Sequence, residues 1–274
     1  MSTSDTGPTT SRKIRLRNEQ QTLLITLYAR ALDYRSRHPI LNDRKADEIV
    51  RSIDYDFGTL HGFGNGSIMV ARAKQIDVWL REFLESNRNA VVLNVGCGLD
   101  TRVSRIDPPP EVSWFDLDYP EVIEERRNFY SNRDGYQMIE SSITDSRWLE
   151  KVPGGRPTMV IADGVLEYLS EDEVRSFLNS LTDHLPSGQV AFDVMNKSAV
   201  QSGRSSLKEK LGAEHRWAVD DIRAVDRLNP RLKRLDNLSV FWSRYLPLRY
   251  RILFGVAGIE PSVRSMIRLL RYEF

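Results

Sequence analysis

The feature that most constrains the fold is a series of short apolar runs, separated by helix-forming stretches, that begins at Ala90. The runs are AVVLNVG, VSWFDLD, YQMIESSI, TMVIADG and QVAFDVM. Continuous apolar runs of this length are typical of strands buried on both faces of a parallel sheet. Helices are predicted after Pro120 and after Ser170, which forms a capping-box pattern with Glu173. The predicted fold class is therefore α/β with a mostly parallel sheet.

Helices are predicted to precede this sheet. In residues 17–37 apolar side chains recur every three or four positions, which is the pattern of a helix with one buried face, and Pro39 ends it. A shorter helix is predicted over residues 43–53. The glycine-rich loop TLHGFGNGS follows, and a long helix starts near Ser67. We expect residues 17–89 to form a helical cap.

The remaining residues are predicted to form an arm and a core. Residues 1–16 are rich in Ser, Thr, Gly and Pro and lack an apolar centre, which indicates a disordered arm and not a signal or an anchor. Residues 90–274 form the core. Within it, helix-like pieces in the charged stretch 197–247 favour a partly helical lid inserted into the core. The final stretch, RSMIRLLRYEF, is compatible with a last strand or with a helix.

Composition limits the class of partner. The 39 basic and 38 acidic residues leave a formal charge of +1, so we expect a small-molecule partner and neither nucleic acid nor a membrane surface. No run approaches the ~20 apolar residues that cross a bilayer. The single cysteine, Cys97, cannot form an internal disulfide, which predicts a reducing, cytoplasmic location. The sequence carries no indication of the oligomeric state.

The stretch VVLNVGCGLDTR, residues 91–102, joins the first predicted strand to a helix through a glycine turn. Such a turn cradles nucleotide-like ligands, because glycine lets the backbone approach the ligand closely. The dinucleotide fingerprint requires a third glycine where this chain has Thr101, and the phosphate loop requires a lysine that is absent near the turn. Both phosphate-binding interpretations lose support, although a nicotinamide-dependent oxidoreductase stays an alternative.

S-adenosylmethionine is a further candidate ligand, because it has an adenosine but no phosphate. Its site needs the glycine turn, an acid at the end of the next strand for the ribose, and a cation for the methionine carboxylate. Asp118 lies 22 positions after Gly96, close to the spacing of ~20 at which an acidic residue meets ribose hydroxyls in α/β nucleotide folds. Asp116 is the second candidate for the ribose.

Four motifs occur in order: ARAKQID, NVGCGLDTR, FDLDYPEVIEERR and IADGVLEYL. Together they resemble the leucine carboxyl methyltransferase family, which includes the tetracenomycin-type polyketide O-methyltransferases, over about residues 17–194. The resemblance implies a class I methyltransferase fold, with a Rossmann-like sheet and extra N-terminal helices, and S-adenosylmethionine as cofactor. It implies O-methyl transfer to a hydroxyl or carboxyl group of a small molecule, such as a polyketide-like metabolite. A protein that binds the cofactor without turnover is a further alternative.

The resemblance also implies roles for single residues. Arg72 takes the position of the arginine that grips the methionine carboxylate, although an arginine on a long helix is more often simply solvated. Asp163 replaces the usual glutamate beneath the methionine portion. Ser142 and Ile143 fall at the adenine edge. The expected cofactor-binding residues are Arg72, Asn94, Gly96, Cys97, Gly98, Asp116, Asp118, Ser142, Ile143, Asp163 and Gly164.

Several of these positions depart from the family pattern or have a second interpretation. The family often has aspartate at the position of Ser142, so Asp145 is an alternative contact for the adenine. Glu167 stands where the family usually has an apolar residue, which alters the expected acceptor pocket. Asp100 is as well explained by capping of the following helix. Cys97 is expected to be a packing residue and not a nucleophile.

Candidates for the chemistry lie near the expected acceptor. Tyr168 matches the tyrosine of the family pattern, with core packing as its alternative. His61 and His215 are the candidate general bases, since a phenol benefits from a base whereas a carboxylate needs none. The histidines show no metal-ligand spacing, so we expect no metal site. Aromatic residues are expected in the acceptor pocket or in the core, namely Phe63, Trp217 and Trp242.

Overall fold

The structure is a computed structural model. It describes residues 12–14, 16, 18–60, 66–202, 212–257, 263 and 265–274. The strands are β1 (Val91–Val95), β2 (Ser113–Asp118), β3 (Tyr136–Glu140), β4 (Thr158–Ala162), β5 (Gly188–Met195), β6 (Lys233–Ser239) and β7 (Ile267–Glu273). The helices are α1 (Thr22–Tyr34), α2 (Arg44–Ser52), α3 (Gly66–Ser86), α4 (Arg102–Ile106), α5 (Pro120–Arg126), α6 (Glu171–His184), α7 (Ile222–Asp226) and α8 (Leu248–Ala257).

Within the described residues seven strands form one sheet, in the order β3-β2-β1-β4-β5-β7-β6. The strands β1 to β5 are parallel to one another, whereas β7 runs antiparallel to both β5 and β6. Every residue of β1 and β4 is buried, as their continuous apolar sequences predict. The predicted α/β fold with a mostly parallel sheet is therefore confirmed. Because strand order reverses beside β1, a crevice is expected at the carboxyl ends of β1 and β4.

The end of the chain differs from part of the sequence prediction. The ambiguous stretch RSMIRLLRYEF forms β7, which pairs with β5 from Ile267 to Glu273. Residues 197–202 and α7 are helical. Lys233–Ser239, however, form the edge strand β6, which corrects the expected lid over the whole of 197–247. The sequence KRLDNLS hides this strand, because an edge strand keeps polar residues in solvent.

The N-terminal helices form as predicted and pack together above the glycine turn. Their apolar side chains build a separate buried cluster that includes Leu24, Leu27 and Ile49. Leu99 of the glycine turn is part of the same cluster, and its carbonyl accepts a hydrogen bond from Nη2 of Arg30 at 3.3 Å. The cap is thus packed on the loop that follows β1. Most of the expected disordered arm, residues 1–16, lies outside the described residues.

Asp116, the second candidate for the ribose, is fully buried inside β2. Its Oδ1 accepts hydrogen bonds from Asn94 Nδ2 at 2.9 Å and from Trp114 Nε1 at 3.0 Å. Its Oδ2 accepts one from the Tyr136 hydroxyl at 2.6 Å and another from Arg126. Both oxygens are therefore bonded within the protein, so Asp116 supports the glycine turn from below and does not face a ligand.

Arg126 links this buried carboxylate to the glycine turn. Its Nη1 donates to the carbonyl oxygens of Gly98, at 3.0 Å, and Asp100, at 2.7 Å. The side chains of Arg126 and Asp116 are both fully buried. A buried ion pair whose members also satisfy backbone carbonyls holds its geometry strongly, because removal of one partner leaves the other charge uncompensated. The shape of the turn therefore depends on Arg126.

No helix among the residues that the structure describes is long and apolar enough to span a membrane.

Replacement of Arg126 by methionine should lower the free energy of unfolding by about 3–5 kcal/mol, because it leaves the Asp116 carboxylate buried without its counter-ion. Urea unfolding followed by circular dichroism measures this loss. The adjacent Arg127→Met is the matched control, since Arg127 pairs with Glu140 and both are half exposed; it should cost less than about 1 kcal/mol. Equal losses in the two variants would contradict this role of Arg126.

Candidate active site

A cavity of about 460 Å³ lies at the carboxyl ends of the parallel strands. The loops after β1, β2, β3 and β4 form its floor, and α1 contributes to the opposite wall through Leu23, Thr26 and Arg30. This is the position where ligands bind in open α/β sheets. The predicted residues that line the cavity are Arg72, Asn94, Gly96, Cys97, Gly98, Asp118, Ile143, Asp163, Gly164, Tyr168 and His215.

Two of the expected cofactor-binding residues, Asp116 and Ser142, are not among those that line the cavity. Asp116 is enclosed by the hydrogen bonds described above. Ser142 lies beside the cavity, and its hydroxyl is 2.8 Å from the hydroxyl of Thr144, which does line it. His61 falls outside the described residues, as does Phe63. Asp145, the alternative adenine contact, instead pairs with Arg147 at 2.6 Å and caps the 3-10 helix Ser146–Lys151.

The glycine turn is shaped by backbone conformations that favour glycine. Gly96 has φ +61°, and a Cβ added there would lie 2.5 Å from Cγ2 of Val165, a residue of the cavity wall. Gly98 has φ +48°, and its added Cβ would lie 3.1 Å from Cβ of Leu23 on α1. The turn thus leaves a narrow backbone cradle that a side chain would fill.

Cys97, between these glycines, is buried within an apolar cluster of the core. Its backbone N–H donates to the carbonyl of Leu117 at 3.0 Å. Burial raises the pKa of its thiol well above the usual value. A buried thiol of this kind is a poor nucleophile, which is consistent with the expected packing role.

Asp118 ends β2 at the cavity edge. Its Oδ2 accepts the backbone N–H of Gly98 at 2.7 Å, and its Oδ1 accepts that of Tyr119 at 2.8 Å. Burial raises the pKa of Asp118 to about 6, against the effect of these two hydrogen bonds. A carboxylate has about four acceptor positions, so each oxygen keeps capacity for a ligand hydroxyl. The position and chemistry of Asp118 suit a vicinal diol.

Arg72 is 8 % exposed and lines the cavity, so it is not the solvated helix residue of the alternative interpretation. Its Nε lies 2.7 Å from Oδ1 of Asp163, and its Nη1 donates to Oδ2 of Asp193 at 2.8 Å. Burial acts to lower the pKa of Arg72, but the two carboxylates outweigh it and raise the pKa further. A Cβ on Gly164 would lie 2.7 Å from Nη2, so glycine is needed beside the guanidinium.

Asp163 connects Arg72 to a second buried guanidinium, that of Arg102. Arg102 is fully buried and donates to Asp77 at 2.7 Å, to Asp100 at 2.6 Å and to Asp163 at 2.8 Å. Asp100 also accepts the backbone N–H of Arg102 at 3.2 Å, which agrees with the expected helix-capping role. Asp77 and Arg102 both lie in motifs that the sequence analysis identified. Their ion pair, which spans 25 positions of the chain, could not be predicted from those motifs.

The ion-pair network extends beneath the cap. It joins four arginines and five aspartates, so one negative charge is left over when all of them are ionised. The members are Arg30, Arg72, Arg102 and Arg105 with Asp43, Asp77, Asp100, Asp163 and Asp193. The residues that line the cavity also include more acids than bases, namely Asp100, Asp118, Asp163, Glu167, Glu173 and Glu214 against Arg30, Arg72 and Arg216. A wall of this composition favours a ligand that carries a positive charge.

Tyr168 and His215 also line the cavity. Their ring centroids are 5.1 Å apart in an edge-to-face arrangement. Burial, and then the neighbouring Glu167, raise the pKa of Tyr168, whereas burial lowers the pKa of His215. Near neutral pH Tyr168 is therefore a hydroxyl donor and His215 a neutral imidazole. Trp217 is packed in the core and Trp242 is 55 % exposed, and neither lines the cavity.

The family model of leucine carboxyl methyltransferases matches residues 23–182. The chain belongs to this family. It is 39% identical to the tetracenomycin polyketide synthesis O-methyltransferase TcmP of Streptomyces glaucescens, over 95% of this chain and 98% of that protein. It is 31% identical to the S-adenosyl-L-methionine-dependent methyltransferase dpfgK of Gibberella zeae, over 83% and 84% of the two chains.

Solved structures agree on the fold. A DUF574 family protein of Streptomyces avermitilis has a TM-score of 0.56 at 14% identity, with 89% of this chain and 96% of that chain covered. A solved protein of Thermobifida fusca has a TM-score of 0.59 at 16% identity, with 89% and 93% covered. Family membership confirms methyl transfer and S-adenosylmethionine as the cofactor expected from the sequence. It removes the support for a nicotinamide-dependent oxidoreductase.

The residues of the cavity fit this cofactor. Asp118 offers acceptor positions for two ribose hydroxyls. The glycine turn leaves room for the cofactor to approach the backbone. Arg72 lines the cavity and offers a positive charge next to Asp163. Ile143 gives an apolar contact for a base at the end of β3.

Gly96→Ala should weaken the binding of S-adenosylmethionine at least tenfold and lower the free energy of unfolding by about 1–3 kcal/mol, because the added methyl group meets Val165 at a positive φ. Calorimetric titration and thermal unfolding measure the two effects. Gly154→Ala is the control, since a Cβ there has no neighbour within 4 Å. If Gly96→Ala binds the cofactor as the wild type does, the close approach at this turn is not needed.

The raised pKa of Asp118 predicts a pH dependence of stability. The folded protein keeps the Asp118 proton up to about pH 6, whereas an unfolded chain releases it near ~4. The folded state therefore binds more protons in this window, and this group's contribution to stability falls by about 2 kcal/mol as the pH rises from 4 to 6. Asp118→Asn should remove this loss in urea unfolding, whereas the exposed Asp134→Asn should retain it. If the free energy of unfolding has the same pH dependence in Asp118→Asn and in the wild type, the pKa of Asp118 is not raised.

Proposed function

We propose that this protein transfers a methyl group to an oxygen atom of a small molecule, a hydroxyl or a carboxyl group of a polyketide-like metabolite. The relative from Streptomyces glaucescens, an O-methyltransferase of tetracenomycin polyketide synthesis, supports this choice of acceptor. The observation that carries the proposal is one continuous cavity. It is lined both by the cofactor-suited residues and by the Tyr168–His215 pair.

The cofactor-binding role is assigned to the residues that line this cavity. Asp118 accepts hydrogen bonds from the ribose, and Gly96 and Gly98 provide room beneath the nucleoside. Arg72, which two carboxylates hold in place, faces the carboxylate of the methionine portion. When bound, S-adenosylmethionine supplies an electrophilic methyl carbon on a positively charged sulfur. The enzyme's residues then have mainly to align the acceptor oxygen with that carbon.

His215 is proposed as the general base for a hydroxyl acceptor. Its imidazole is neutral near pH 7 because burial lowers its pKa, so it is able to accept the hydroxyl proton. Tyr168 packs edge-on against the imidazole and orients it. A carboxylate acceptor is already a nucleophile and needs no such base. The effect of His215 therefore distinguishes the two acceptor groups.

The N-terminal cap, residues 17–89, is proposed to enclose both substrates. Leu23, Thr26 and Arg30 of α1 line the cavity opposite the sheet. Thr22 forms a side-chain hydrogen bond with Tyr168. An enclosure of this kind excludes water from the reacting groups.

A set of three acceptors tests the proposal and its two forms. We expect transfer of a labelled methyl group from S-adenosylmethionine to a hydroxynaphthoic acid. If the enzyme methylates the hydroxyl group, the methyl ester of this acid should also be a substrate. If it methylates the carboxyl group, the methyl ether should be a substrate instead. With the ester, His215→Asn should reduce kcat by 10²–10⁴ with an unchanged Kd for the cofactor. The exposed His184→Asn is the control.

Release of S-adenosylhomocysteine with any of the three acceptors supports an active transferase. Binding of the cofactor without release, for these acceptors and for a metabolite extract, would favour the alternative of a cofactor-binding protein without turnover. Full activity of His215→Asn with the ester would remove His215 as the base.

A further inference from the structure

Glu167 is a buried acid that the account above does not use. It lies in the 3-10 helix Leu166–Tyr168 after β4, lines the cavity and is 4 % exposed. Its Oε2 atom is buried and has no hydrogen-bond partner among the described residues. Buried carboxyl oxygens are nearly always hydrogen-bonded, because water satisfies them in the unfolded chain. An unsatisfied one at a ligand cavity indicates that the ligand supplies the partner.

The neighbouring charges leave Glu167 without a counter-ion of its own. Arg72 is the cation that acts on the Glu167 carboxyl group, and its Nε and Nη1 lie next to Asp163 and Asp193. The second oxygen of Asp193 accepts the backbone N–H of Gly164 at 2.7 Å. Burial, followed by repulsion from Asp193, raises the pKa of Glu167 to about 8. Without a ligand, this carboxyl group therefore carries a proton near pH 7.

The position of Glu167 is fixed by its backbone. The carbonyl of Glu167 accepts the backbone N–H groups of Arg216, at 2.7 Å, and Trp217, at 3.2 Å. The backbone at Glu167 is thus held in place, and the Arg72 guanidinium acts electrostatically on the Glu167 carboxyl group. A guanidinium and a carboxyl side by side match the charge pattern of an amino-acid end, in which a carboxylate and an ammonium group share one carbon atom.

We propose that the Glu167 carboxyl group binds the α-ammonium group of S-adenosylmethionine and gives up its proton to the solvent when that cation binds. The proposal rests on the proposed cofactor geometry with Arg72 at the methionine end. The ammonium group donates hydrogen bonds to the carboxylate, including the unpartnered Oε2, and the released proton goes to the buffer. The sulfonium is not the partner, because a sulfonium has no N–H or O–H to donate.

Calorimetric titration in phosphate and in Tris buffer at pH 7 tests this proton release, because the difference in observed heat reports protons given to the buffer. S-adenosylmethionine and S-adenosylhomocysteine both carry the ammonium group, and each should release close to one proton. 5′-Methylthioadenosine lacks the amino-acid end and should release none. The affinity for the first two ligands should also rise between pH 6 and pH 8, by up to tenfold per pH unit.

Glu167→Gln should abolish the proton release and weaken S-adenosylhomocysteine binding ten- to a hundredfold at pH 8, with a smaller loss at pH 6. Glu171→Gln is the control, since Glu171 is exposed on α6 and pairs with Arg175 at 3.0 Å. It should release protons as the wild type does. Circular dichroism establishes that both variants are folded, and the comparison of ligands on the wild type tests the proposal even if Glu167→Gln does not fold.

Two results would overturn the proposal: proton release that persists in folded Glu167→Gln, or equal release with 5′-methylthioadenosine and S-adenosylhomocysteine. A wild-type protein that binds none of the three ligands would instead contradict the proposed function itself. Tight binding of S-adenosylhomocysteine without any release of a proton would leave the proposed function standing and refute the role of Glu167.

Discussion

The buried guanidinium of Arg102 is the interaction on which the rest of the structure depends. It joins Asp77 of the cap helix α3, Asp100 of the glycine turn and Asp163 after β4. None of these three elements is able to shift alone without leaving a buried charge unpaired, which is strongly unfavourable. The cap, the turn and the sheet therefore form one rigid frame. Arg72, held by Asp163 and Asp193, extends this frame to the cavity wall.

The same network explains why the cavity suits a cationic cofactor. Its aspartates outnumber its arginines by one, and the cavity lies along this surplus of negative charge. Asp118 and Glu167 are two further acids of the cavity. Near neutral pH Asp118, with a pKa of about 6, is mostly ionised, whereas Glu167, with a pKa of about 8, is mostly protonated until a cation binds. Charge selection and structural rigidity thus come from one set of side chains.

Much of the fold was predictable from the sequence, because the five parallel strands are continuous apolar runs and the glycine turn has its own spacing. The edge strand β6 was not, since none of its residues is fully buried and most are polar or charged. Asp116 and Asp118 lie two positions apart on one strand, so spacing alone did not show which of them faces the ligand. In the structure Arg126 and Tyr136 enclose Asp116, which leaves Asp118 at the cavity. The network around Arg102 and the isolation of Glu167 depend on contacts between distant segments, which a single sequence does not display.

The contact between α1 and Tyr168 of the cavity has a consequence for the order of folding. Thr22 and Tyr168 bond across 146 positions of the chain, and the surface that α1 covers is complete only when β4 has joined the sheet. Contacts between such distant segments are slow to form. The cavity therefore closes late, whereas the apolar side chains that α1 packs against its N-terminal neighbours can be buried before the sheet is complete.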